Sequence, residues 1–444
     1  MRKTVKFGGS SLADAVQFQK CADIVKADAD RLFAVPSAPG KRNSTDTKIT
    51  DMLFRCFDLQ KKNPIEAIEY FERIEERYDG IIHDLGLDFS LKDEYGIIRR
   101  NLKEGLSEEY LVSRGEYLSG KILAKLLDFP FVDAAECIKF DARGNYDEQA
   151  TMKAFEKYQD AACFVMPGFY GSYPDGSIRT FSRGGSDISG AIVAKAMKAD
   201  VYENWTDVSG FLAADPRIVK NPEPIEEITY SELRELAYMG ASVFHEEAIY
   251  PARSAGIPIN IRNTNRPEDN GSWICPDDQT TDKHAYITGI AGKKNFMSVS
   301  FEKDVSADKY AFGRKVLQVF EEAKVMIEHV PSSVGTMTLV VDAAEISGKE
   351  DSILRRIRRE LNPYHITVER ELAFIAIVGY KMKGGVGVTS GLMAALADAG
   401  ISVKMVIQGI REISLIIGIE EKDFEKALVR LYQFRSEVAD DNFA

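Results

Sequence analysis

Phe181-Ser182-Arg183-Gly184-Gly185-Ser186-Asp187-Ile188-Ser189-Gly190 brings two adjacent glycines, three hydroxyls, one cation and one carboxylate into ten residues. Adjacent glycines let backbone N–H groups turn toward a ligand without Cβ interference. Ile188 to Met197 behind them reads as an apolar, small-residue helix, so the loop sits at a helix N-terminus. That end carries unpaired N–H groups and positive partial charge, which suits an anion. Arg183 adds a planar cation able to grip a carboxylate with two hydrogen bonds. Asp187 adds the opposite charge, suited to an ammonium or a metal. A capped surface turn explains the glycines by themselves, so the reading depends on companions elsewhere.

The first companion is Lys6-Phe7-Gly8-Gly9-Ser10. Thr4 to Phe7 predicts a strand, the glycines a turn, and Leu12 to Ala29 a helix. A strand, a glycine turn and a helix make an anion cradle, with Lys6 as a point charge for phosphate. Leu32 to Val35 predicts a second strand and Pro36 to Lys41 the loop after it, which implies a parallel sheet with ligands at the strands' carboxyl ends. Thr50 to about Leu127 reads as helical and strongly charged, much of that charge being solvated helix face. Within it, Ser113-Arg114-Gly115-Glu116-Tyr117-Leu118-Ser119-Gly120-Lys121 contains G-x-x-x-x-G-K. A nucleotide P-loop is rejected: Ile122 stands where Ser or Thr should hold magnesium, and no apolar strand precedes Gly115. The tract reads instead as a helix start presenting Glu116 and Ser119 on one side.

Further strands are expected at Phe131 to Ala134, Cys163 to Met166, Asp200 to Glu203 and Pro258 to Arg262, and a helix at Thr229 to Gly240. From about Tyr286 the pattern changes to two successive β-α-β-β-α repeats of ~70 residues, the grammar of ferredoxin-like modules. In the first, strands are expected at Asn295 to Phe301, Val325 to Val330, Thr336 to Val341 and Ile366 to Arg370. Tyr286 to Ala291, an apolar segment ahead of it, is expected to pair into the second module, because a four-stranded module lacking a strand exposes an edge.

The 444 residues predict about three domains. A net charge of −12 argues against nucleic acid, which requires clustered positive charge. Five scattered cysteines, without CxxC or nearby His in metal spacing, read as reduced core thiols. No apolar run approaches the ~20 residues of a membrane helix, so a cytoplasmic protein is expected.

Taken in order, Lys6-Phe7-Gly8-Gly9-Ser10, Ser37-Ala38-Pro39-Gly40, Arg114-Gly115-Glu116, Ser182 to Asp187, Thr206-Asp207-Val208, Ala214-Asp215-Pro216-Arg217 and Glu235 to Ala241 resemble the motifs of the aspartokinases in order and spacing, over nearly the whole chain. The doubled tail is similar to that family's paired ACT domains. The resemblance implies an α/β amino acid kinase fold, an αβα sandwich on a mainly parallel sheet, at 1–284. Two ferredoxin-like ACT domains would follow at 285–370 and 371–444. It implies transfer of the γ-phosphoryl group of ATP, with Mg2+, to the side-chain carboxylate of L-aspartate. That nucleophile is already ionised at pH 7 and requires no general base; positioning and positive charge are what the transfer needs.

By resemblance, Lys6, the Gly8 and Gly9 N–H groups and the Gly184–Gly185 loop surround the phosphates. Asp187 organises Lys6 and the transfer, Glu116 holds the substrate ammonium, and Arg183 holds its α-carboxylate. Ser37, Thr50 and Ser186 also meet aspartate, while Ser10, Thr206, Asp207 and Arg217 fall where the family binds nucleotide. Leu212 and Ser242 depart from the commoner Tyr and Lys and bear on nucleotide contacts. The resemblance also implies an amino-acid effector, lysine or else threonine, between Phe312–Gly313 and Ile327 to Ser333, with Glu328 meeting its ammonium. It implies at least a homodimer, or a dimer of dimers. Three other readings remain: a kinase of the same fold acting on glutamate, acetylglutamate or UMP, an amino-acid sensor with an inactive kinase half, and a solvated strand glutamate at 328. A fused dehydrogenase is not expected, because about 10 residues follow the last helix.

Overall fold

The computed structural model describes residues 1–182, 184–240, 246–278, 286–302, 309–333, 335–409, 411 and 413–440. They fall into two compact units: residues 1–211, 224–230 and 242–280, and residues 212–223, 231–241 and 281–444.

The first unit is built on a seven-stranded sheet. Its strands are β1 (Lys3–Phe7), β2 (Arg31–Pro36), β3 (Phe164–Val165), β4 (Val201–Thr206), β5 (Glu227–Thr229), β6 (Ile259–Asn263) and β7 (Ser272–Cys275), in the spatial order β3-β2-β1-β4-β6-β7-β5. Every neighbouring pair is parallel except β6 with β7. Parallel sheets must bury both faces, so their strands read as near-continuous apolar runs. β2 does: Phe33 and Val35 enter one core with Phe164, Ile188 and Ile192, and Ala34 enters another with Val5, Phe18 and Leu53. Helices α1 (Ala15–Lys26), α2 (Ile49–Gln60), α3 (Pro64–Asp84), α4 (Lys92–Glu104) and α5 (Glu108–Leu127) supply one cover, and α6 (Gly185–Ala196) supplies the other. This is the expected αβα arrangement.

Two local expectations need correction. The Arg114-Gly115-Glu116 tract is not a helix start. It lies mid-way along α5, which begins at Glu108 with Ser107 accepting from the Tyr110 N–H. Phe131 contributes one isolated bridge, to Val165, in place of a strand.

The second unit carries one five-stranded antiparallel sheet of β8 (Gly289–Glu302), β9 (Thr336–Asp342), β10 (His365–Val378), β11 (Val403–Gln408) and β12 (Ser414–Glu420), ordered β9-β8-β10-β12-β11. α7 (Tyr230–Tyr238) runs into this unit. The later helices are α8 (Lys309–Glu322), α9 (Glu350–Leu361), α10 (Val388–Asp398) and α11 (Phe424–Asp440). The two repeats share strands. Phe296 to Glu302 pairs with β9 and with the first half of β10, whereas Gly289, Ile290 and Ala291 pair with Val378, Ile377 and Ala376. The segment before the first repeat thus serves the second, as its apolar character predicts. The register slips between Lys293 and Phe296. Asn295 at φ 71° and Glu371 at φ 55° take the left-handed turn there, which Asn tolerates better than most residues. Val325 to Val330 is not the regular strand expected: among the described residues only bridges His329–Val340 and Ser332–Met337 form there, and Pro331, whose carbonyl still accepts from the Thr338 N–H, has no N–H to continue the pattern.

The second unit also takes in residues 212–223 and 231–241, ahead of the repeats in sequence. Ala214 and Val219 sit in its core with Ile287, Ile375 and Leu428. Glu232 of α7, fully buried, accepts from Thr288 Oγ1 at 2.6 Å and from the Tyr380 N–H at 2.7 Å.

Candidate active site

The carboxyl ends of β1, β2 and β4 converge on three loops. After β1, Ser11 and Leu12 donate to the Gly8 and Gly9 carbonyls and close a tight turn. After β2, the Gly40 N–H donates to Gly9 O at 2.7 Å. A Cβ on Gly40 would lie 2.7 Å from Gly9 C, and one on Gly115 would lie 2.8 Å from the Ala38 Cβ. Glycine is therefore required for the Ser37 to Gly40 loop to pass between the first turn and α5. One expected role changes: the Gly8 N–H donates to Trp205 O at 2.9 Å, so this amide completes the strand ladder and is not available to phosphate.

Lys6 pairs in register with Val35 on β2, so its side chain faces α6. It is 7 % exposed, and its Nζ lies 2.6 Å from Asp187 Oδ1 in the first turn of α6. Asn204 Nδ2 donates to the same oxygen at 2.6 Å, and the Tyr202 hydroxyl donates to the Asp187 carbonyl at 3.1 Å. Gly184, at φ 57°, is the N-cap that lets the chain enter α6, and Ser186 follows it, buried against Gly168. Arg183 lies outside the described residues.

Glu116 projects from α5 and is 5 % exposed. Its Oε2 is buried without a hydrogen-bond partner among the described residues. Burial pushes its carboxyl up to about 8, opposed in part by the Ala38 amide and the Arg114 charge. An acid held this way is set to meet a cation: pairing with an ammonium would repay the desolvation that raises it. Arg114 is not that cation, because its guanidinium stacks on Tyr110 and Tyr117 and donates to Ser113 Oγ. Ser37 and Thr50 are half-buried on either side of the Ala38 turn, Thr50 in the first turn of α2.

Two residues that position the site were not read from the sequence. Arg77, inside the charged helical stretch, is buried; it donates to the carbonyls of Ala13, Gly40 and Thr47 and pairs with Asp46 at 2.9 Å. It ties α3 to the loop after β2. Asn204 is the other. Both sit in polar or charged surroundings where sequence gives no sign of direction.

A buried lysine paired to a helix N-terminus, together with a buried carboxyl on α5, suits chemistry on anionic groups. The model of the amino acid kinase family matches residues 1–263, and that of the ACT domain matches 375–433. Aspartokinase 3 of Bacillus subtilis is 38 % identical, over 97 % of this chain and 98 % of its own length. The chain belongs to the aspartokinase family. The crystal structure of Clostridium acetobutylicum aspartate kinase matches it at 44 % identity with a TM-score of 0.92, covering 98 % of this chain and 99 % of that one. Escherichia coli aspartokinase III shares the fold at 23 % identity, with TM-scores of 0.72 for its complex with aspartate and ADP and 0.75 for its complex with lysine and aspartate. Each covers 98 % of this chain and 99 % of that one.

Elsewhere in this aspartokinase, Thr206 ends β4 with its hydroxyl donating to Asp207 Oδ1 at 3.1 Å. Ser209, just beyond, donates to Asp269 Oδ2 at 2.6 Å and accepts from Asn263 Nδ2 at 3.0 Å, which anchors that loop to β6. Arg217 belongs to the second unit, where it is 86 % exposed and pairs with Asp215 at 2.6 Å. Leu212 is exposed; Ser242 lies outside the described residues.

In the second unit, Phe312 is buried at the start of α8 and Gly313 faces Met337 Sδ. Ile327 and Glu328 are half-buried and Ser333 is exposed. Glu328 is not merely solvated: its N–H donates to Val340 O at 2.8 Å, and its carboxylate accepts from the Tyr238 hydroxyl of α7. His329 packs between Tyr238 and Phe374, with ring centroids 6.2 Å and 5.7 Å away, and burial lowers its pKa.

Proposed function

We propose that this chain transfers the γ-phosphoryl group of ATP to the side-chain carboxylate of L-aspartate, giving 4-phospho-L-aspartate, under feedback control by an amino acid bound at its ACT region. The observations that carry the catalytic reading are the Lys6–Asp187 pair and the buried Glu116, whose Oε2 has no hydrogen-bond partner among the described residues. Glu116 takes the substrate ammonium and Arg183 its α-carboxylate. Ser37, Thr50 and Ser186 line the remainder of the substrate. This leaves the side-chain carboxylate as the group presented to the γ-phosphorus. Lys6, Gly9, Ser10 and the N-terminus of α6 meet the phosphates, and Thr206 and Asp207 the rest of the nucleotide. Lys6 offsets the charge that spreads over the phosphoryl oxygens in the transition state, which ground-state binding does not require.

Among the described residues no cluster of three or more His, Cys, Asp or Glu occurs. Mg2+ would arrive on ATP, since this ion keeps waters and phosphate oxygens and uses few protein carboxylates. When bound it neutralises phosphate charge.

The effector is lysine, whose second ammonium would compete with the Tyr238 hydroxyl for the Glu328 carboxylate. The enzyme works in the cytoplasm as a homodimer or dimer of dimers, its outer strand β11 alternating half-buried and exposed like an edge awaiting cover. Among the described residues no helix is long and apolar enough to cross a membrane.

An ADP-release assay with aspartate, glutamate and acetylglutamate, each with and without lysine and threonine, tests the reading. Turnover on aspartate alone, inhibited by lysine, is expected. Faster turnover on either other acceptor, or no turnover at all, overturns the substrate assignment, and inhibition by threonine alone overturns the effector. Glu328→Ala should shift the lysine response by about 5- to 150-fold while leaving uninhibited turnover intact. Equal inhibition of wild type and variant would place the effector elsewhere.

A further inference from the structure

We infer that Asn204 is a positioning residue for phosphoryl transfer, acting by holding the Asp187 carboxylate that Lys6 also contacts. The inference rests on the reading of Lys6 and Asp187 as the transfer pair. Asn204 is 1 % exposed in the middle of a parallel sheet, where an apolar side chain is the default occupant. A buried amide there has to be satisfied, and its donor goes to Asp187 Oδ1 at 2.6 Å, the oxygen that also receives Lys6 Nζ at 2.6 Å. Lys6 and Asn204 are partners in the β1–β4 register, so the sheet delivers both donors side by side on one face.

Tyr202, two residues earlier and therefore on the same face, completes the arrangement by donating to the Asp187 backbone carbonyl at 3.1 Å. Its close approach depends on Gly190, where a Cβ would lie 2.5 Å from the Tyr202 hydroxyl. Two successive inward positions of β4 are thus both spent on Asp187, one on its side chain and one on its backbone. Glu203, on the opposite face, goes to Arg31 and Trp205 and takes no part.

The physical consequence concerns where the negative charge of Asp187 points. A carboxylate close to incoming phosphates repels them unless it is turned away. With Oδ1 fixed by two donors, Asp187 occupies a single N–H of Lys6 and leaves the other two for phosphate oxygens. Without Asn204 the carboxylate would keep Lys6 as its principal partner and draw that ammonium toward itself, and the transition state would lose part of its cation.

The test compares Asn204→Leu, Asn204→Asp and Lys6→Met with wild type. For Asn204→Leu, kcat should fall roughly 10- to 100-fold, the range for a hydrogen bond to a charged group, with the KM for aspartate within about threefold. Asn204→Asp should show a distinct pH profile. In the acid range one proton shared by the two carboxyls restores a donor to Asp187, whereas at higher pH two like charges repel. Its kcat should therefore be nearest to wild type at about pH 6 and should fall at least tenfold relative to wild type by about pH 9. A purely structural role predicts no such pH dependence. The inference is overturned if Asn204→Leu turns over within threefold of wild type, or if Asn204→Asp parallels wild type across the whole range. Should Lys6→Met itself keep near-normal turnover, the underlying reading of the transfer pair has failed. Loss of activity in Lys6→Met with a normal Asn204→Leu defeats only the role of Asn204.

Discussion

Lys6→Met is expected to lower kcat by about two to three orders of magnitude, with little change in the KM for aspartate. Methionine keeps the unbranched stem that fills the space under Gly8, where a Cβ would lie only 3.6 Å from Lys6 Nζ, so the fold should tolerate it. What it removes is the charge. In the ground state Lys6 has Asp187 as a partner 2.6 Å away, and the proposed aspartate contacts lie at other residues, so substrate binding should lose little. In the transition state charge moves onto the phosphoryl oxygens, and a fixed ammonium in a buried position offsets it with no reorganisation at the moment of transfer. Lys6→Arg should not restore turnover, because a planar fork cannot occupy a position shaped around a point charge. Steady-state kinetics with both substrates varied make the measurement. Near-normal kcat in Lys6→Met would remove Lys6 from the transfer step.

The parts of this site legible in the sequence are those where backbone geometry restricts residue choice. Gly9, Gly40 and Gly115 announce themselves because each close approach crowds out a Cβ, Gly184 because it turns at φ 57°, and Lys6 stands out as a cation at the end of an apolar strand. The donor segment ahead of the first repeat was legible for a similar reason: an apolar run must find a sheet. Arg77 was not. It lies in a helix whose other charges are mostly solvated, and nothing in spacing separates a guanidinium aimed at three carbonyls from one in water. Asn204 was hidden by the same degeneracy, since a strand asparagine reads as a weakness in the pattern until its partner is known. Val325 to Val330 misled in the opposite direction. Its β-branched composition favours a strand, but Pro331 and a single bridge at His329 leave it irregular. Residues 231–241 show the limit of reading a chain in order. Their helical period was clear, yet the buried Glu232 answers to Thr288 and Tyr380, about 50 and 150 residues later, as only the fold reveals.

On the proposed pairing of Glu116 with the substrate ammonium, the aspartate KM should fall as pH rises from 6 toward 8 and then level off, because that pairing requires an ionised carboxylate. Burial raises its carboxyl to about 8, so in the free enzyme at neutral pH it is mostly protonated. Bound ammonium favours the ionised form and pulls that proton off. By linkage, apparent affinity then improves by roughly tenfold per pH unit below about 7.5 and flattens above the free-enzyme value. Calorimetry at pH 7 in buffers of different ionisation enthalpy should detect close to one proton released per aspartate bound. The sign for stability is opposite. A carboxyl raised above its unfolded value binds its proton more tightly when folded, so the unliganded protein loses stability as pH rises from the ordinary carboxylate range to about 8. Aspartate should accordingly raise the Tm more at pH 8 than at pH 6. Glu116→Gln removes the titration but keeps the shape of the side chain. Its aspartate KM should be nearly independent of pH and roughly 30-fold or more above the wild-type plateau, as expected for truncating one partner of a buried charge pair. A wild-type KM that stays flat between pH 6 and 8, with no proton released on binding, would mean that the substrate ammonium is held elsewhere.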